Sequence, residues 1–293
     1  MIGVDWGTSS FRAYRMNGDG AVLDAVAAPR GILEVPAGGF AAELRRHVGP
    51  WLEDGETRIL LAGMIGSRQG WVEAAYLPCP AGEAELAAAL IDVGFDAKVR
   101  VRLVPGLSAS DAGGTPEVMR GEETQVIGGV AGALDGSGLV CLPGSHSKWV
   151  RMVGQRIAGF ETYMTGEAFS ALRGGTILGR MMVDGPADDA AFDRGVARSG
   201  EAGHLLHQLF GVRTLGLFGR LAEGESASYL SGLLIGHELR AACPPGSDVT
   251  LIGAGPLCAL YERALTACGS QARLAGDSAR QGLHRIATRA LWN

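Results

Sequence analysis

Two short apolar runs open the chain, Ile2 to Trp6 and Phe11 to Met16, separated by the polar turn Gly7-Thr8-Ser9-Ser10, and the pattern predicts a hairpin of two strands. A third strand is expected over 21–27. "GGFAAELRRHVGPWL" then has helical spacing, "RILLAGM" reads as a strand, "GEAELAAALIDVG" as a helix and "VRVRLVPG" as a strand. "DAGGTPEV" reads as a Gly and Pro linker. Beyond it a helical stretch near 118–134 leads to strands at 138–142, 147–153 and 156–163. Helices are expected at 165–173, 188–200 and 226–243, then a strand "DVTLIG", a helix "PLCALYERALTA", a strand "ARLAG" and a closing helix.

The same order of elements therefore occurs twice, the second time with helices inserted. Sliding the sequence by 137 positions lays GTSS (7–10) on GSHS (144–147), each between two apolar strands. This predicts an α/β chain of two duplicated lobes, residues 1–115 and 116–293, each with a hydroxyl-rich hairpin tip.

Composition narrows the chemistry. With 293 residues, 47% of them hydrophobic and 19% charged, the chain is long enough for two substantial cores. Its net charge of -5 argues against a nucleic-acid or other polyanion partner, so an anionic substrate needs local basic residues. Five scattered cysteines without CxxC spacing point to reduced thiols, and no apolar run is long enough for a membrane span, so a soluble, cytoplasmic protein is expected.

Three glycine-bearing turns carry the candidate chemistry. In DxGTSS, Gly7, Thr8, Ser9 and Ser10 offer backbone N–H groups and hydroxyls to phosphate oxygens, while Asp5 at the strand end can hold a metal-bound water. The second turn lacks the acid, since Asp5 aligns with Leu142, but supplies Gly144, Ser145, His146, Ser147 and Lys148. The third, Gly253-Ala254-Gly255 with Leu257 behind it, joins a strand to a helix N-terminus as nucleotide sites do. It imitates a dinucleotide fingerprint, with Asp277 at about the right distance, but Cys258 stands where the third glycine belongs.

Taken in this order, the three turns resemble the sugar kinase, heat-shock protein 70 and actin superfamily. More narrowly, "VDWGTSSFRAYR", "AGMIGSRQGWVEAAYLPCPAG", "VPGLS", "VMRGEETQ", "LPGSHSKWV", "TYMTGE" and "RTLGLFGRL" look like the 2-dehydro-3-deoxygalactonokinases, bacterial sugar-acid kinases. The resemblance implies two ribonuclease-H-like lobes with ATP in the cleft, phosphate loop 1 and the sugar-acid site in the first, phosphate loop 2 and the adenosine site in the second. It implies transfer of the ATP γ-phosphoryl group to the terminal C6 hydroxyl of 2-dehydro-3-deoxy-D-galactonate, with Mg2+ at Asp5. Another keto-deoxy sugar acid, or phosphohydrolysis of the exopolyphosphatase type, is the alternative. Glu122 and Glu123 at a helix start are the candidate bases, with Asp111 in reserve. Arg68, flanked by Gln69 and Trp71, is the candidate for the substrate carboxylate, with Arg30 or Arg120 next in line, and Thr165 and Glu167 are further substrate candidates. The expected partners are the sugar acid and ATP, without nucleic acid or membrane, and a homodimer is the assembly to test.

Overall fold

The computed structural model describes residues 1–130, 137–276 and 278–292. Strands β1 (Ile2–Trp6), β2 (Phe11–Met16) and β3 (Val22–Ala28) lead to helix α1 (Phe40–Glu53), β4 (Arg58–Ala62), β5 (Leu77–Pro78), α2 (Glu83–Ala88), β6 (Ile91–Asp96), β7 (Val99–Leu103), β8 (Leu107–Ser110), β9 (Pro116–Met119) and α3 (Glu122–Gly129). Then come β10 (Ser137–Leu142), β11 (Ser147–Val153), β12 (Arg156–Tyr163), α4 (Thr165–Gly175), α5 (Asp189–Ser199), α6 (Leu205–Leu217) and α7 (Ser226–Ala242). The chain closes with β13 (Asp248–Ile252), α8 (Pro256–Ala267), β14 (Gln271–Gly276) and α9 (Ala279–Arg289).

Two compact units result: Met1–Gly138 with Val150–Phe160 and Ala275–Asn293, and Leu139–Trp149 with Glu161–Leu274. One sheet runs β3-β2-β1-β4-β7-β6 and another β12-β11-β10-β13-β14. In each, the first strand lies between the second strand and a later one, to which it is parallel: β1 pairs β4 with Ile2 opposite Ile59, and β10 pairs β13 with Leu139 opposite Val249. The duplication read from the sequence is thus a duplication of topology, an α/β fold built twice. The GTSS and GSHS turns occupy the same place in it, between the first two strands of each sheet.

Amphipathic spacing explains the main layers. In α1, Phe40, Leu44, Val48 and Trp51 recur at helical spacing and bury one face against Trp6, Phe11 and Ile59 of the first core. The second core gathers Cys141, Trp149, Phe192, Ile235, Leu251 and Tyr261.

Four expectations change. The helix expected over 82–94 stops at Ala88, and Ile91, Val93 and Phe95 alternate inward along β6, because pairing with β7 rewards a period of two over this stretch. The linker expected at 111–118 is a hairpin: β9 pairs antiparallel with β8, and Asp111 Oδ1 accepts from the N–H groups of Gly113 and Thr115, both at 2.8 Å. Helix α6 was not anticipated; Leu206, Phe210 and Leu217 remain exposed on it, so no clean apolar stripe marks it in the sequence. The helix expected near 118–134 begins at Glu122, the first four positions being taken up by β9 and the turn that follows it.

The part of that helix beyond Val130, and Asp277, lie outside the described residues. The closing helix α9 packs into the first unit at very short range. A Cβ on Gly282 would stand 1.8 Å from Thr124 O, and one on Gly128 2.0 Å from Ser278 O, so glycine is what lets α3 and α9 touch. Among the described residues no helix is long and apolar enough to cross a membrane.

Candidate active site

The first hairpin tip is braced from behind by residues 30–32. Trp6 Nε1 donates to Arg30 O at 3.0 Å, Ile32 N to Gly7 O at 3.0 Å, and Gly7 N to Ser10 O at 2.9 Å. A Cβ on Gly31 would sit 1.9 Å from Thr8 O, so only glycine permits this contact. Thr8 and Ser9 are exposed, with the peptide between them packed against Gly31. Asp5 is aligned on β1 opposite Ala62 and Arg12, with its carboxylate 3.9 Å from Arg12 Nη1 and 18% exposed.

Three chain segments meet beside Asp5. Gly63 follows β4 with φ +98°, and a Cβ there would lie 2.7 Å from Trp6 O and 3.2 Å from Asp5 Oδ1. Gly121, at φ +103°, caps α3 and comes so close to Gly63 that a Cβ on it would be 3.1 Å from Gly63 Cα. The two glycines bring the start of α3, with Glu122 and Glu123, to the end of β1.

The two glutamates differ sharply. Glu123 is wholly buried; Gly121 N donates to its Oε2 at 2.7 Å and Thr124 Oγ1 to its Oε1 at 3.1 Å. Burial, and secondarily the Glu122 carboxylate, push its pKa up to about 8. Glu122 is half-buried and its Oε2 accepts from Arg120 N at 2.9 Å. Because the folded-state pKa of Glu123 lies above the ordinary 4.5, its contribution to stability is complete below about pH 4.5 and is lost as pH rises towards 8. Glu123→Gln is expected to flatten the decline of the melting temperature across that window; an unchanged slope would place the titration elsewhere. Asp111, held in its turn by Gly113, Thr115 and their N–H groups, has a lowered pKa, chiefly from the Thr115 backbone bond.

In the second unit the GSHS turn is clamped by α4. Glu167 N donates to Ser145 O at 3.0 Å, the Glu167 carboxylate bonds His146 Nε2, and a Cβ on Gly166 would be 2.6 Å from Gly144 O. Lys148 is buried at 5% exposure, and Ser147 is completely enclosed. Beneath them lies a group that sequence reasoning missed. Glu238 of α7, 3% exposed, accepts from Trp149 Nε1 and Tyr261 OH, each at 2.7 Å, and from Thr165, while Ser147 Oγ lies 2.8 Å from Tyr261 OH. Burial raises the Glu238 pKa against these bonds. With the carboxylate ionised, Tyr261 donates to it and Ser147 donates to Tyr261, so the Ser147 proton is already committed. Thr165 thus neither caps α4 nor stands alone. No signal in the sequence marked Glu238, because its partners come from β11, α4 and α8.

Glu238→Gln keeps the shape but removes one acceptor among these donors, and is expected to cost about 1–3 kcal/mol. Urea denaturation reads this directly; an unchanged midpoint would show that the carboxylate does not hold the network.

The GAG turn is built as expected: Gly253 and Gly255 have φ +138° and +78°, and Pro256 begins α8. Ala254 and Gly255 are exposed, and Leu257 borders a cavity of about 310 Å³ shared with Gly144, Thr165, Phe169, Ser231 and Tyr261. In the first unit the GSRQGW turn is fixed by Trp71 N donating to Ile65 O at 2.9 Å. Trp71 stacks on Phe40 and belongs with the core, Gln69 is exposed, and Arg68 is 87% exposed beside Glu73 at 3.5 Å. Among the described residues no group of three or more His, Cys, Asp or Glu is set to hold a metal. A single carboxylate with small hydroxyls fits Mg2+, which retains water and is shared with phosphates, better than a metal needing a full protein cage.

Known proteins resemble the chain along its whole length. The profile of the family described as 2-keto-3-deoxy-galactonokinase matches residues 5–286. The 2-dehydro-3-deoxygalactonokinase of Escherichia coli (strain K12) is 35% identical over 98% of this chain and 97% of its own, and a Rhizobium meliloti (strain 1021) protein described by the same enzyme name is 40% identical over 99% and 96%. A crystal structure of a Sinorhizobium meliloti protein, again described by that name, superposes with a TM-score of 0.90 at 38% identity, covering 98% of this chain and 97% of its own. The activator of 2-hydroxyisocaproyl-CoA dehydratase from Clostridium difficile, solved with ADPNP, shares the fold at a TM-score of 0.50 and 9% identity over 99% of this chain and 93% of its own. From the profile match and the two full-length relatives, the chain belongs to the 2-keto-3-deoxy-galactonokinase family and is a phosphotransferase with an alcohol acceptor.

Proposed function

We propose that the chain transfers the γ-phosphoryl group of ATP to the C6 hydroxyl of 2-dehydro-3-deoxy-D-galactonate, assisted by Mg2+. The observation that carries this reading is the convergence of Asp5 with Gly63, Gly121 and the two glutamates of α3. Asp5 would hold Mg2+ through water, and the metal supplies charge neutralisation of the phosphates. Thr8, Ser9 and the backbone of the first tip offer donors to phosphate oxygens. In the second unit, Gly144, Ser145 and Lys148 are the corresponding phosphate candidates, on a turn that His146, Glu167 and Ser147 hold in shape. The GAG turn and the cavity beside Leu257 suit the nucleoside.

Glu122 acts as the base. A group that takes a proton from a sugar hydroxyl must reach it, and Glu122 is only half-buried, whereas Glu123 is sealed from solvent. Glu123 instead holds the first turn of α3 through Gly121 N.

A coupled assay of ADP release over a panel of keto-deoxy sugar acids, with phosphorus NMR of the product, tests the reading. ADP release that depends on the sugar acid and yields a C6 phosphate ester supports it. Release of inorganic phosphate independent of any sugar acid would mean a phosphohydrolase.

A further inference from the structure

Buried cations are ordinarily paired, because desolvating an unpaired charge is costly. Arg120, at the end of β9 and 8% exposed, is an exception. Its Nη2 donates to Ala74 O at 2.7 Å and its guanidinium lies over the Tyr76 ring, 4.4 Å from the centroid, but Nε and Nη1 have no hydrogen-bond partner. Neither has the buried Ser67 Oγ. Among the described residues four buried side-chain atoms lack a partner, and three of them belong to this pair. The two residues are neighbours: a Cβ on Gly66 would be 3.0 Å from Arg120 Nη1, and Ala74, which holds Nη2, donates its own N–H to Gly66 O at 2.9 Å.

We infer that Arg120 and Ser67 form the subsite for the carboxylate of the sugar acid. Every unpartnered group here can donate and the guanidinium cannot accept, so the complement is an anionic oxygen. The position is right: Arg120 N is bonded to Glu122, and Gly121 packs on Gly63 beside Asp5. The other candidates are less suited. Arg68 is in solvent, where an ion pair is weak, and Arg30 already faces Glu34 and Glu43. Arg120 has been desolvated by folding, so an arriving carboxylate gains its pairing without stripping a second hydrated charge. The unpartnered donors are closed to solvent beside the Tyr76 ring, itself 42% exposed, and binding of the carboxylate would require that ring to swing aside.

The inference rests on the sugar-acid kinase reading, and calorimetric binding without ATP separates the two. The titrants are 2-dehydro-3-deoxy-galactonate and its analogue with the carboxylate reduced to an alcohol. Wild type is expected to prefer the acid strongly. Arg120→Ala should weaken acid binding by about a hundredfold while leaving the weak alcohol binding unchanged, and added methylguanidinium should restore part of the loss. Should Arg120→Ala not fold, Arg120→Lys and Ser67→Ala are each expected to weaken acid binding about tenfold at an unchanged ATP KM. If these variants keep the preference, or if Arg68→Ala loses it and Arg120→Ala does not, the inference is overturned. Wild type that binds the acid but does not phosphorylate it would sink the kinase reading and leave this subsite standing. Wild type that binds neither compound would overturn both.

Discussion

Asp5→Asn is expected to lower kcat by about a thousandfold with Mg2+ present, while the ATP KM moves only a few-fold. The side chain stays the same size and keeps its place on β1 opposite Ala62, so the loss reports charge rather than packing. That charge matters most when the phosphoryl group is in transit, because interactions made equally in ground and transition states change KM and not kcat. A second variant approaches the same group sterically. Gly63→Ala would force a Cβ to 2.7 Å from Trp6 O at φ +98°, next to Asp5 Oδ1, and is expected to reduce turnover and stability together. Wild-type turnover in Asp5→Asn would remove Asp5 from the site.

Glu122→Gln is expected to lower kcat by about 10²- to 10⁴-fold, the range for losing a general base. Glu123→Gln, by contrast, should retain kcat within about tenfold, since that carboxyl is enclosed and its bonds are to Gly121 and Thr124. The contrast between neighbours is the measurement, because both substitutions exchange a carboxyl for an amide of the same shape within the first turn of α3. The reverse outcome would make Glu123 the base and would require the helix start to open during turnover.

Local features were legible wherever one residue's environment is set by its near neighbours in sequence. The two hairpins, α1, α8 and the GAG turn follow from alternation, helical spacing and glycine at positive φ. The segment after Gly82 shows the limit: "GEAELAAALIDVG" has helical character throughout, and only the availability of β7 as a partner turns Ile91–Asp96 into a strand. The same holds for "DAGGTPEV", whose glycine and proline were compatible with a linker until β8 offered a ladder.

The candidate site divides along the same line. Sequence alone determined the duplicated α/β plan, the first hydroxyl-rich turn with Asp5, the second turn with Lys148 and the glutamates at a helix start, since each is a short motif legible from its own spacing. Tertiary structure alone decided which glutamate is sealed and which can be reached, that Ser147 bonds Tyr261 above a buried Glu238, and that Arg120 rather than Arg68 is the desolvated cation. The reason is physical. Desolvation and hydrogen-bond satisfaction depend on everything that packs around a group; the partners of Glu238 run from Trp149 to Tyr261, and those of Arg120 are Tyr76 and Ala74, the latter 46 residues earlier in the chain.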